Sequence, residues 1–237
     1  MRMVMAAARN KTNLFRHPLG HTQKAYQGIR RMLFHNELAP GQKISYRDLA
    51  ERLKMSQTPV IQALKWLEFQ QLVRHEPHRG YYTAPISIKE VEEIYDLREL
   101  IELDLLAKTI RSLGSTEIKS LKAALEGHLA AAREIYLYDR LLKDMEFHLS
   151  LARLADCKVQ HQTLRNLFDL LYLKYGGTLL FSTSMERADA DHQALFSKIS
   201  ARDSTGARRV LRDHIRRVKR HVLTGLKQMV AARQMDV

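Results

Sequence analysis

The feature that most constrains this chain is a pair of short helix-forming segments in tight succession, each with its own start signal. Ser45 precedes a segment from Tyr46 to Lys54 whose Leu49, Ala50 and Leu53 face inward. Met55 passes the chain to Ser56, a second cap candidate, and a further helix runs to about Phe69. Pro59 falls in its first turn, where a missing N–H costs little. Val60, Ala63, Leu64 and Leu67 form the inner face of that helix. Gln57, Thr58, Ile61, Gln62 and Lys65 form the outer face, which begins at the helix N-terminus. Two such helices are the helix-turn-helix pattern, in which that end of the second helix meets base edges. Gln pairs bidentately with adenine, and Ile61 suits a thymine methyl.

The flanks extend the pattern. An earlier helix, Lys24 to Phe34, places Tyr26, Ile29, Met32 and Leu33 at helical spacing, and Pro40-Gly41 ends the connection that follows it. Leu72 to His75 and Tyr81 to Thr83 read as two strands around Glu76-Pro77-His78-Arg79-Gly80, a hairpin with a basic tip. His78, Arg79 and Gly80 at such a tip suit a minor groove or phosphates, although an ordinary hairpin covering a core has the same pattern. Residues 1–86 hold 14 Lys/Arg against 5 Asp/Glu, a net of +9 of the chain's +13. A compact basic segment is the electrostatic footprint of a polyanion binder. The expected domains are a flexible basic arm at 1–21, a DNA-binding domain at 22–86, and a helical domain at 87–237.

The series Tyr26, Ile29-Arg30, Leu38-Ala39-Pro40-Gly41, Asp48-Leu49-Ala50, Ser56-Gln57-Thr58-Pro59-Val60, Ala63-Leu64, Leu67, Leu72-Val73 and His78-Arg79-Gly80 resembles the winged helix of the GntR family. The resemblance implies a dimeric bacterial transcription regulator that binds double-stranded DNA. Arg47 matches a DNA-contacting position of the family, and Ser56 lies in its motif. Gln57 and Ile61 stand where the family commonly has Arg, so the operator departs from the commonest family sequence.

Beyond Ile86 the reading is helical throughout. Ser87-Ile88-Lys89-Glu90 is a capping box opening a helix to about Leu113, with Val91, Ile94, Tyr95, Ile101 and Leu105 on one face. Further helices are expected from Gly114-Ser115 to about Tyr136, from Asp139 to Ala155, from Val159 to Phe181, from Met185 to Ser200 and from Ser204 to Arg233. The expected fold class is mainly α: an N-terminal winged helix with a small β-hairpin, then an antiparallel all-α bundle of six helices. The basic run Arg208 to Arg220 reads as a solvated helix face. A single cysteine, Cys157, rules out an internal disulfide framework and fits a reducing cytoplasm. There is no apolar run of spanning length, and Met1 to Gly20 has no continuous apolar signal core.

Four polar residues fall on apolar stripes of the bundle. Asp144 and His148 share a face one turn apart with Leu141 and Leu151. His192 sits with Leu195, Phe196 and Ile199, and His214 with Leu211, Ile215 and Val218. A buried carboxylate is costly unless paired or metal-bound, and one carboxylate with three imidazoles suits a divalent metal. A lone inward histidine is more often a core residue, and His128, His161 and His221 are read that way. Arg98 and Glu102 lie on the inner side of the first bundle helix. They form either a buried ion pair or an effector site in which the planar Arg fork binds a carboxylate.

Asp144-Met145-Glu146-Phe147-His148, Asp191-His192 and Asp213-His214-Ile215 resemble the FCD effector domain of the FadR subfamily. In its metal-binding members these positions supply one Asp and three His. The resemblance therefore implies Asp144, His148, His192 and His214 as ligands, with Zn²⁺ the first choice and Ni²⁺ or Mn²⁺ open, and a small organic acid as effector. Ala155-Asp156-Cys157-Lys158 departs from the subfamily's small-Gly-Asn pattern, which leaves the effector open. Two other functions fit parts of the chain. A metal-dependent enzyme would leave the basic winged helix without a purpose, and an architectural nucleic-acid binder would leave the inward Asp/His set unexplained.

Overall fold

The computed structural model describes residues 20–131, 137–175 and 185–235. The expected basic arm lies outside them apart from Gly20 and His21, as do the tail of the second bundle helix at 132–136 and residues 176–184.

The head begins with α1, His21–Phe34, which buries Ala25, Ile29, Met32 and Leu33. Gly28 on this helix permits a close approach, since a Cβ there would stand 2.5 Å from the Leu53 side chain. A two-residue strand, β1 (Lys43–Ile44), leads into α2, Tyr46–Arg52. Ser45 Oγ accepts the Asp48 N–H at 3.2 Å, the cap expected from sequence. The recognition helix α3, Gln57–Phe69, buries Val60, Ala63, Leu64 and Leu67 completely.

Ser56 occupies the N-cap of α3, but its side chain makes no capping bond. The cause is local. A cap hydroxyl accepts from the second or third residue of the helix, and the third here is Pro59, which has no N–H. The Ser56 hydroxyl is therefore left on the surface. Strands β2 (Val73–Glu76) and β3 (Gly80–Thr83) form the hairpin, and β1 pairs with the other edge of β3. The registers are Val73↔Thr83 to Glu76↔Gly80 on one side and Ile44↔Tyr81 on the other, all antiparallel. Gly80, at φ +100°, closes the tip, a conformation that favours glycine.

Ser87 Oγ accepts the Glu90 N–H at 3.2 Å and starts α4, Ile88–Ser112. The expected capping box is only half realised. The Glu90 carboxylate is taken instead by Lys174 Nζ, at 2.6 and 2.8 Å, and by the Tyr175 hydroxyl. Ser87→Ala is expected to cost about 1 kcal/mol, the usual worth of a side-chain cap. Ser56→Ala, with no cap bond to lose, should cost less than about 0.5 kcal/mol. Thermal unfolding of the two variants checks the contrast.

The bundle continues with α5 (Ser115–Ala131), α6 (Leu137–Leu154) and α7 (Lys158–Asp169). The last does not run on as one regular helix. It widens into a π-helical turn, Leu170–Lys174, with Leu171, Tyr172 and Leu173 buried. Helices α8 (Met185–Ser200) and α9 (Ser204–Met235) complete the bundle. The basic run of α9 is not simply a solvated face. Arg216 makes a bidentate pair with Glu99 at 2.8 Å, Lys219 reaches Asp96 at 2.6 Å, and Arg208 donates to the Leu103 carbonyl at 3.1 Å. This seam joins α9 to α4. Among the described residues no helix is long and apolar enough to cross a membrane.

Candidate functional site

Five helices and the π turn converge on one buried polar cluster. α6 supplies Asp144 and His148, α8 His192 and α9 His214. One ligand atom from each of these four lies within 4.8 Å of the others. His148, His192 and His214 are buried, at 1%, 0% and 3% exposure.

The Nδ1 atom of each imidazole is engaged from behind. His148 Nδ1 meets Glu102 Oε2 at 2.6 Å, and His214 Nδ1 meets Asp191 Oδ2 at 3.0 Å. Carboxylates only accept, so both rings donate from Nδ1 and leave a bare Nε2 lone pair facing inward. His192 Nδ1 lies 2.9 Å from His128 Nε2. On the inner side, His192 Nε2 stands 3.2 Å from His148 Nε2 and 3.5 Å from Asp144 Oδ1. Two imidazole nitrogens so close call for a shared proton or a shared cation. The other Asp144 oxygen, Oδ2, accepts the Tyr172 hydroxyl at 2.9 Å.

The electrostatics agree with that geometry. Burial would raise the Asp144 carboxyl, but the imidazoles of His148, His192, His128 and His214 hold it far below the usual range. Burial, then the neighbouring imidazoles, lowers His192 well below an ordinary histidine, and burial with His148 brings His214 down to about 4. Glu102 is held at about 2: burial opposes ionisation, and His148 and Arg98 outweigh it. An ionised carboxylate and neutral imidazoles are the forms that ligate a metal, and burial favours the neutral ring at His192 and His214. The donor set of three nitrogens and one oxygen fits Zn²⁺, Ni²⁺ or Mn²⁺, and two of the three rings, His148 and His214, have a carboxylate behind them, the usual support for such ligands.

The sign of the pH dependence follows. His214 and His192 bind protons more weakly folded than unfolded. The folded state therefore loses stability as pH falls from about 6.5 toward 4, on the order of 1 kcal/mol per unit of pH for each fully shifted group. The thermal midpoint of metal-free protein should drop steeply across that window, and that of His214→Gln should drop less.

Two candidate effector residues also come to the cluster. Arg98 Nε donates to Glu102 Oε1 at 2.9 Å, and its guanidinium lies over the Phe168 ring at 4.2 Å. Glu102 is spent between Arg98 and His148, so it supports a ring rather than facing a ligand. His128, read from sequence as an ordinary core histidine, is the orienting partner of His192. Its Nε2 also lies 3.1 Å from Asp189 Oδ1, which accepts from Arg140 at 2.9 Å. The available signal was its place on the Leu121, Leu125, His128 stripe of α5. Tyr172 and Asp189 were missed because nothing in their spacing sets them apart, and Asp191, although part of the Asp191-His192 motif, shows its contact with His214 only in the fold. His161 and His221 lie outside the cluster.

On the head, Arg47, Ser56, Gln57, Thr58, Lys65, His78 and Arg79 are exposed, while Ile61 and Gly80 are half-buried. Gln62 is exposed, but its Oε1 accepts the Thr22 hydroxyl at 2.6 Å, which ties the recognition helix to the start of α1. Arg79 sits loosely by Glu76 at 3.7 Å.

Comparison with known proteins falls on the same two parts. The FCD domain matches residues 93–217, and the description "Bacterial regulatory proteins, gntR family" matches residues 21–82. The HTH-type transcriptional repressor RspR of Escherichia coli K12 is 25% identical over 204 residues, covering 84% of this chain and 88% of that protein. The HTH-type transcriptional regulator LutR of Bacillus subtilis is 24% identical over 215 residues, 82% and 97% of the two chains. Among solved structures, E. coli McbR/YncC matches with a TM-score of 0.73 at 20% identity, covering 88% of this chain and 98% of that one. A GntR regulator from Rhodococcus sp. RHA1 matches with a TM-score of 0.70 at 17% identity, covering 86% and 97%. These two share the fold, and the families and named relatives are transcription regulators rather than enzymes.

Proposed function

The chain belongs to the GntR family of bacterial regulatory proteins and carries an FCD effector domain, and from that premise we propose how it senses and binds. It is a cytoplasmic homodimer whose two winged-helix heads, residues 22–86, grip a pseudo-palindromic operator. Arg47, Ser56, Gln57, Thr58, Ile61, Gln62 and Lys65 face the major groove and its phosphates, and His78, Arg79 and Gly80 at the wing tip face the backbone or minor groove. The helical domain, 87–237, holds a divalent metal through Asp144, His148, His192 and His214, with Zn²⁺ as first choice. A small organic acid is the effector, drawn by the metal's charge and by Arg98 beside it.

The observation that carries the effector reading is the convergence of three inward Nε2 atoms and one carboxylate oxygen, with each ring held from its Nδ1 side. A bound divalent metal would supply positive charge and a coordination site for a carboxylate. The chain's own residues do the rest. Glu102, Asp191 and His128 fix the rings, Tyr172 fixes Asp144, and Arg98 supplies a second cation.

The test is DNA binding to the region upstream of the gene for this chain, with Zn²⁺ and a panel of small di- and hydroxycarboxylates. One acid should change affinity by about 5- to 150-fold, the usual range of linkage between sites. The Asp144→Ala/His148→Ala variant should bind the same DNA and ignore the acid. Affinity should also fall steeply with salt if the basic head carries the contacts. An unchanged acid response in the double variant would sink the metal-linked effector site.

A further inference from the structure

The cluster and the DNA-binding head are joined by a short path of polar contacts, half-buried up to Tyr26 and exposed at Gln70, and the π turn lies in its middle. Tyr172, inside the turn, donates to Asp144 Oδ2 at 2.9 Å. Asp169, the residue just before the turn, receives both Nη groups of Arg30 at 3.0 and 2.7 Å. Arg30 belongs to α1 of the head. Its Nη1 also donates to the Tyr26 hydroxyl at 3.1 Å, and that hydroxyl donates to Gln70 Oε1 at 2.8 Å, at the end of the recognition helix. The Tyr26 ring meets Trp66 of the same helix edge-on, with centroids 5.9 Å apart. At the other end of the turn Lys174 and Tyr175 are anchored on Glu90, in the first turn of α4 where the head joins the bundle.

One end of the turn is therefore tied to the head, the other to the first turn of α4, and its middle to the cluster. π turns concentrate at functional sites because the i→i+5 register is costly and lies one hydrogen-bond step from the regular helix. A turn able to pass between the π and the regular register would be the two-state element that coupling between distant sites requires.

We propose that the π turn Leu170–Lys174 is the coupling element of this regulator, joining Asp144 through Tyr172 to α1 and α3 of the head through the Asp169–Arg30 ion pair. The inference rests on the metal reading of the cluster. Cation binding at Asp144 draws away carboxylate charge that the Tyr172 hydroxyl leans on. The turn then shifts its hold on Arg30, and the recognition helix is re-aimed.

The chain contains a single tryptophan, Trp66, and it sits at the far end of this path. The experiment uses the full-length chain, with Zn²⁺ as the probe. Zinc binding is measured by competition with a chromophoric chelator, and Trp66 emission is read in the same titration. The wild type should bind Zn²⁺ and show a saturable emission change at the binding stoichiometry, absent from His192→Ala. Asp169→Asn should still bind Zn²⁺ and lose most of the emission change. Tyr172→Phe should behave likewise, with a weaker zinc affinity since it also steadies a ligand. The charge exchange Arg30→Asp with Asp169→Arg should recover the change and shows that the ion pair, not a damaged fold, is responsible. Zinc binding without any Trp66 change in the wild type, or a full change in Asp169→Asn, overturns the coupling and leaves the metal site standing. No zinc binding in the wild type overturns the metal reading itself, and the coupling with it.

Discussion

Replacing His192 with Ala is expected to lower the affinity of the chain for Zn²⁺ by about two orders of magnitude or more. Structural zinc sites bind with about 10–16 kcal/mol shared among four ligands, or roughly 3 kcal/mol for each. His192 is the most central of the candidate ligands, with Nε2 within 3.5 Å of both His148 Nε2 and Asp144 Oδ1. Its loss also leaves His128 Nε2 without its ring partner. His128→Ala removes only the orienting group and should cost about 10- to 100-fold, the usual worth of such support. The exposed His221 is the control, and its replacement should leave affinity unchanged. Chelator competition on the three variants measures all of this. Equal affinities would place zinc binding elsewhere on the chain.

The second large effect is on stability. Arg98 and Glu102 are each 3% exposed, and Arg98→Met leaves a buried carboxylate with His148 as its remaining partner. Breaking a buried pair from one side costs about 3–5 kcal/mol. In a chain of this size that lowers the thermal midpoint by roughly 10 °C. Arg98→Met with Glu102→Gln removes the stranded charge and should recover a substantial part of the loss. A drop of only a degree or two in the single variant would show that the pair is far more hydrated than its burial implies.

Much of this was legible in the sequence because it rests on local chemistry. The Ser45 and Ser87 caps, the Pro40-Gly41 break, the inner face of α3 and the Gly80 tip follow from short-range rules, and each stands where those rules place it. What escaped depends on partners far away in the chain. β1 is two residues long, too short to show any alternation. Ser56 has the right residue type for a cap, yet Pro59 withholds the donor it needs. Glu90 has the right spacing for a capping box, but Lys174 and Tyr175, some 84 residues on, compete for its carboxylate. The π turn is invisible to a 3.6-residue pattern, since inserting one residue into a turn leaves the neighbouring apolar positions plausible. The cluster shows the same division. Asp144, His148, His192 and His214 could be picked out because each interrupts an apolar stripe. His128 interrupts one too, but its role depends on His192 lying across the bundle from it.

The central claim is that Asp144, His148, His192 and His214 form one metal centre. The most direct measurement is diffraction from crystals of the full chain grown with Zn²⁺, recorded on both sides of the zinc absorption edge. The expected result is a single strong anomalous peak in the bundle of each chain, within bonding distance of the three Nε2 atoms and of Asp144. Glu102 and Asp191 should remain on the Nδ1 sides of His148 and His214. A peak elsewhere, or zinc-loaded crystals with none at this cluster, would contradict it and leave these residues as a polar core.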